Sequence, residues 1–145
     1  LDEKVKNEIN KAFEDTSNSL DKAREIEALN RICELSSFGN KYFNDQKPWE
    51  SVKSDKAKSE NCLYNSVQFI SEVATLLNPF IPSGSRKILE QLGVSDPKEI
   101  EKYLKWDHSI VANGNILNHL GPIFTKIDPK TIEEEEKALG EMTEI

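Results

Sequence analysis

The sequence predicts an all-α fold, a helical bundle of about four to six helices with an irregular C-terminal third. Three observations carry that prediction. Apolar residues recur at three- and four-residue spacing over most of the first hundred positions. Prolines and Asn/Gly clusters cut the pattern into helix-length pieces. No stretch of useful length alternates apolar with polar residues, as a half-buried strand does. The 145 residues read as one domain, 1–145, long enough to bury a single core without a disulfide or metal staple.

Taken in order, Val5, Ile9, Ala12 and Phe13 share one face of a first helix from about Asp2 to Ser17. Asp2 and Glu3 suit the positive end of its dipole. The Thr16-Ser17-Asn18-Ser19 run reads as a loop. A second helix begins near Ser19, capped by Ser19 or Asp21. Its broad apolar stripe holds Ala23, Ile26, Leu29, Ile32, Cys33, Leu35 and Phe38, continued by Tyr42 and Phe43. It stops before Pro48, because the residue preceding a proline disfavours the α region. Residues 51–60 read as a loop or the start of the next helix. A third helix, from about Asp55 to Leu77, is the most apolar element and the expected centre of the bundle, with Cys62, Leu63, Val67, Phe69, Ile70, Val73, Ala74, Leu76 and Leu77. Asn78-Pro79 breaks it. Ser83 or Ser85 caps a short helix to Leu92, with Gly93 as its C-terminal cap. Asp96-Pro97 opens another. Residues 105–129 are irregular, and a strongly acidic last helix begins at Asp128 or Thr131.

Net charge is −7, unevenly spread: residues 128–145 carry −5 and the other 127 carry −2. A pI near 5.0 argues against non-specific DNA binding, which needs a broad cationic face, but leaves room for a small specific RNA contact. No apolar run reaches the ~18 residues of a membrane span, and no basic-then-apolar leader stands at the start. Cys33 and Cys62 have neither disulfide-framework nor metal-site spacing and read as small buried hydrophobes. A cytoplasmic location is the simplest expectation. The chain begins at Leu1 and its single methionine is Met142, so a longer parent protein is expected.

The residues offer no convincing active site: no catalytic, cofactor-binding or metal-binding residue is assigned. There is no Gly-rich phosphate loop. His108 and His119, eleven residues apart, belong to no metal motif and read as exposed or capping histidines. Ser109 beside His108 is adjacency in sequence, not triad geometry. Glu133–Glu136 reads as a solvated helix face.

Binding is better supported. Residues 40–49 join the end of an amphipathic helix to a proline turn and then Trp49. On pattern alone a tryptophan after a proline reads first as a core anchor. Its surroundings are not core-like. Asn44, Asp45, Gln46 and Lys47 precede it, Glu50, Ser51 and Lys53 follow it, and five lysines lie between positions 41 and 58. An exposed aromatic among lysines and amides suits an unstacked RNA base: the ring supplies affinity and the amides can read base edges.

The run Ala28 to Lys53 resembles the anticodon-binding domain of methionyl-tRNA synthetases, with Phe38, Asn40 and Tyr42 in its helix-ending turn and Gln46, Pro48 and Trp49 in its Q-x-P-W corner. Leu76 to Pro82 is similar to the family's break after the central helix, Ser85 to Leu92 to its next helix, Trp106 to a following tryptophan, and Asn115 to Asp128 to its closing segment. Short motifs in the expected order cover nearly the whole chain. The resemblance implies a helical domain C-terminal to a Rossmann-type catalytic domain, reading the CAU anticodon of methionine tRNA. By position, Trp49 is the anticodon contact and Pro48 sets its direction. Asn44 stands where the family often has aspartate. Asn40 is a weaker RNA-binding candidate by its place in the motif, and Lys41 and Lys47 join it from charge and proximity, as phosphate neighbours. The implied partners are tRNA and the parent's own catalytic domain, with neither DNA nor membrane.

Two departures bound the resemblance. The family's other main anticodon contacts, an Asn and an Arg one helical turn apart, have no match here; Asn7 and Lys11 are not a substitute, and that helix is expected upstream of Leu1. His119-Leu120-Gly121-Pro122 lacks the final histidine of the HIGH motif, and no KMSKS-like sequence is present. The chain is therefore expected not to activate methionine; no cofactor is expected in it, and ATP, with zinc as a further candidate, belongs to the parent's catalytic part. A stand-alone helical interaction module and the equivalent domain of another class I synthetase remain as alternatives.

Overall fold

In a computed structural model, residues 1–106, 111, 114–119 and 121–142 are described, the last three by backbone alone. His108, Ser109 and Asn113 lie outside the described residues. Five helices of ten residues or more and two of seven occur in the order α1 Glu3–Leu20, α2 Glu25–Gln46, α3 Pro48–Ser54, α4 Lys56–Leu77, α5 Pro82–Gln91, α6 Pro97–Tyr103 and α7 Pro129–Met142. No strand occurs among the described residues. The all-α class holds, and 111–128 are irregular where described.

α4 is the hub, packing against α1, α2, α3, α5 and α6. Between α1, α2 and α4 sits one core, built on Val5, Ile9, Phe13, Ile32, Leu35, Phe69 and Leu76. A second, between α4, α5 and α6, holds Ala74, Leu89, Val94 and Ile100. The tie between chain start and bundle is polar. The Asp2 backbone N–H donates to Asn65 Oδ1 at 2.8 Å, and its carboxylate accepts from Tyr42 Oη at 2.7 Å and from Asn61 Nδ2 at 3.1 Å.

Several sequence expectations change. Thr16–Ser19 is not a loop: α1 runs through it, with Thr16 and Ser19 buried against the bundle. Small hydroxyl residues let a helix approach closely and here continue its buried face. The reversal falls later, at Asp21–Arg24, where Ala23 takes φ 53° and Arg24 N–H returns to Ser19 O at 2.9 Å. On α2 the buried face is narrower than expected. Ala28, Ile32 and Leu35 form it, while Ile26, Leu29 and Cys33, at i, i+3 and i+7, lie exposed on a flank of their own. Cys33 is therefore not buried; Cys62 is. On α4, Leu63 and Ile70 are exposed, and polar Asn65, Gln68, Ser71 and Thr75 are buried instead.

Those polar residues have partners. Gln68 exchanges two hydrogen bonds with the Val111 backbone, both 2.9 Å, and Thr75 Oγ1 donates to Tyr103 O at 2.8 Å. They hold the chain beyond α5 onto α4, a role that hydrophobic periodicity cannot reveal. The caps match expectation better. Asp55, Asp96 and Asp128 each accept a backbone N–H through a side-chain oxygen at the start of α4, α6 and α7. Gly93, at φ 86°, follows α5, and Val94 N–H closes onto Leu89 O at 3.1 Å, the 6→1 bond of a Schellman cap.

Candidate functional site: the Lys47–Trp49 corner

Gln46 ends α2, and Pro48 begins α3. Lys47 alone joins them, in the left-handed region (φ 48°, ψ 60°). The ring of Pro48 disfavours the right-handed helical region at Lys47, so α2 ends there. Lys47 then serves both helices. Its N–H donates to Phe43 O at 3.1 Å, and its carbonyl accepts from Glu50 N–H at 3.0 Å and Ser51 N–H at 3.2 Å. Pro48 is buried in the first turn of α3, where a missing N–H costs nothing. Its carbonyl accepts from Ser59 Oγ of α4 at 3.2 Å and lies 3.4 Å from Ser51 Oγ. The corner is thus fastened to the hub helix.

Trp49 follows with nowhere to bury. Its side chain is 52% exposed, and its ring lies on Phe43, centroids 5.8 Å apart and planes at 52°. Phe43 is a residue that sequence reasoning did not assign to the site. Six positions before Trp49, it read only as a continuation of the apolar stripe; the corner is what brings the two rings together. Trp106, the chain's other tryptophan, does the opposite. It packs edge-on to Phe13 at 5.6 Å and belongs to the core.

The other candidates divide. Asn40 and Asn44, one turn apart on α2, are both exposed, as is Lys41 between them. None of the three makes a side-chain hydrogen bond or ion pair with a described residue. Lys47 pairs with Glu50 at 3.1 Å. An exposed pair of this kind is worth ~0.2–1 kcal/mol, so a phosphate can displace the carboxylate at little cost. Of the six residues predicted from the sequence, Lys47, Pro48 and Trp49 form the corner, and Asn40, Lys41 and Asn44 lie on the last two turns of α2 leading to it.

Elsewhere the chemistry is structural. A broad depression of about 730 Å³ at the α1–α2 turn is lined by side chains of both charges, several of them already paired. Arg31 meets Glu8 at 2.8 Å, Asp15 at 3.1 Å and Glu34 at 3.3 Å. Burial of Glu72 raises its carboxyl to a pKa of about 7. Burial also pushes the Tyr42 hydroxyl and the Cys62 thiol up. Hydrogen bonds from Asn61 and Tyr42 hold Asp2 below the usual carboxylate range. Among the described residues no group of three His, Cys, Asp or Glu side chains could hold a metal ion, and no helix is long and apolar enough to cross a membrane.

The described residues thus form an all-α bundle that carries one half-exposed tryptophan at a fastened proline corner. The family described as the anticodon binding domain of methionyl tRNA ligase matches residues 1–143, and the chain belongs to it. Among its relatives, the methionine–tRNA ligase of Pyrococcus horikoshii is 33% identical over 132 residues, 91% of this chain and 17% of that protein. That of Methanobrevibacter smithii is 36% identical over 115 residues, 78% of this chain and 16% of that protein. Methionine–tRNA ligase 1 of Alkaliphilus oremlandii is 31% identical over 140 residues, 97% of this chain and 25% of that protein. The chain thus spans between a sixth and a quarter of these relatives' length.

Proposed function

We propose that this domain recognises the CAU anticodon of methionine tRNA within a methionine–tRNA ligase, and that the Lys47–Trp49 corner holds one anticodon base. The carrying observation is Trp49: half-exposed, backed by Phe43 and aimed by a corner with no free backbone torsion in a loop. A base stacks on the open part of the indole. Asn44 and Asn40 offer amide groups to base edges, and Lys41 and Lys47 neutralise nearby phosphates. The ring is already in place, so little ordering entropy is lost on binding. One stacked base contributes ~1–3 kcal/mol. That is too little for full anticodon specificity, so other parts of the ligase share the discrimination. Methionine activation, with ATP, belongs to the catalytic part; this domain selects and positions the tRNA. The setting is cytoplasmic.

The test is Trp49→Ala in a ligase carrying this domain, with methionine activation followed separately from tRNA charging. The expected result is a fall of tenfold or more in charging with activation unchanged. Unaltered charging in a folded variant removes Trp49 from the site.

A further inference from the structure

Phe43 has two neighbours of different kinds. One is the Trp49 ring, with centroids 5.8 Å apart and planes at 52°. The other is a groove of about 340 Å³ between α2 and α4, which Phe43 lines together with Phe69, Ile70 and Val73, with Ile88 of α5 in its wall. That volume is in the ~300–1,000 Å³ range of pockets that bury small aromatic ligands, so it has room for an indole.

Trp49 is held lightly for so exposed a ring. Its backbone is fixed in α3, but no polar contact fixes its two side-chain torsions. Among the described residues its indole N–H has no hydrogen-bond partner, and Phe43 is the one ring against it. Apolar area left in water is unfavourable, so a half-exposed indole moves to the nearest apolar space it can reach. The groove is such a space, and the Phe43 ring stands at it. Phe43 itself is anchored. It is half-buried within α2, and its carbonyl accepts the Lys47 N–H at 3.1 Å. One residue thus serves both the turn of the corner, by its carbonyl, and the indole the corner carries, by its ring.

We infer that Phe43 is a positioning residue for the RNA contact: its ring keeps the Trp49 indole presented to solvent and out of the α2–α4 groove. Phe43 acts through Trp49 and touches no base. This rests on the reading of Trp49 given above. The role needs a flat ring, because leucine is as apolar but offers the indole neither face nor edge.

The experiment measures tRNA charging in a ligase carrying this domain, for Phe43→Leu, Phe43→Tyr, Trp49→Ala and the double variant of Phe43→Leu with Trp49→Ala. Phe43→Met replaces Phe43→Leu should that variant fail to fold. Phe43→Leu is expected to raise KM for methionine tRNA about fivefold, with kcat and methionine activation unchanged. Phe43→Tyr keeps the ring and is expected to behave as wild type. On the Trp49→Ala background, Phe43→Leu is expected to add nothing, because the residue it positions is gone. A second readout is acrylamide quenching of Trp49 emission in the 145-residue chain, taken as the difference between each protein and its Trp49→Ala counterpart. It is expected to fall in Phe43→Leu, as the indole withdraws into the groove. An unchanged KM in Phe43→Leu, while Trp49→Ala raises it, overturns the positioning role and leaves the stack standing. Equal losses on both backgrounds also overturn it, because the loss is then structural. Quenching that does not fall overturns it as well, since the indole then stays out without Phe43. Charging unaltered by Trp49→Ala removes the stack and, with it, the role of Phe43 in RNA binding.

Discussion

Tyr42 and Asp2, forty positions apart, share a 2.7 Å hydrogen bond that fastens the start of the chain to α2. Asn61 and Asn65 of α4 complete the clasp. Tyr42→Phe removes the hydroxyl without opening a cavity. For a partly exposed, charge-assisted bond the expected loss is about 1 kcal/mol at neutral pH by urea denaturation. The pH dependence has a definite sign. Asp2 titrates below its ordinary value in the folded state, so its contribution is complete above the unfolded pKa of about 4. It is lost as pH falls through the lower folded value. Between pH 5 and pH 2, Tyr42→Phe should therefore lose stability less steeply than wild type.

Gly39 on α2 faces Phe69 on α4 closely: a Cβ at Gly39 would clash with the Cδ1, Cε1 and Cζ atoms of the Phe69 ring. Helix propensity favours alanine over glycine here by ~1 kcal/mol. Overpacking against a buried ring costs ~1–3 kcal/mol and a backbone shift. The steric effect should win. Gly39→Ala is expected to lower the melting temperature, and a rise would show that Phe69 swings aside freely.

Glu72 is buried on α4, and its pKa is raised to about 7. In the folded state it holds its proton over a range where the unfolded chain has released it. Stability attributable to this residue is thus greatest below about pH 4.5, falls as pH rises towards 7, and is flat beyond. Glu72→Gln should remove that decline and be the more stable protein at pH 8, by on the order of 2 kcal/mol. Melting temperatures of both proteins at pH 5 and pH 8 decide it. Parallel curves would place the pH dependence elsewhere.

How much of this was legible in the sequence depends on the kind of cause. Aspartate caps and proline starts announce themselves within three residues, so α4, α5 and α6 begin within a few positions of expectation. The Pro48–Trp49 corner was legible as a motif, and the polar residues around it foretold exposure. Pattern alone did not distinguish Trp49 from Trp106; only the third dimension puts one on Phe43 in solvent and the other on Phe13 in the core. Thr16 and Ser19 misled because hydroxyl residues suit both a loop and a tightly packed helix face. Ile26, Leu29 and Cys33 misled because a stripe of seven apolar side chains was wider than the face α1 and α4 cover. Asn65, Gln68 and Thr75 were illegible as core, since they pair with backbone groups far along the chain.

Because a single residue both closes α2 and opens α3, the joint has no slack. The tryptophan is geared to the helix behind it: a rolling or bending of α2 over the hub carries the indole with it. An added residue at the joint could not be absorbed by a loop. One residue of helix turns a side chain by about 100°, so a single insertion would swing the ring off its Phe43 support and out of line with the asparagines. The corner is in this sense a machined part, set by chain length as firmly as by residue type.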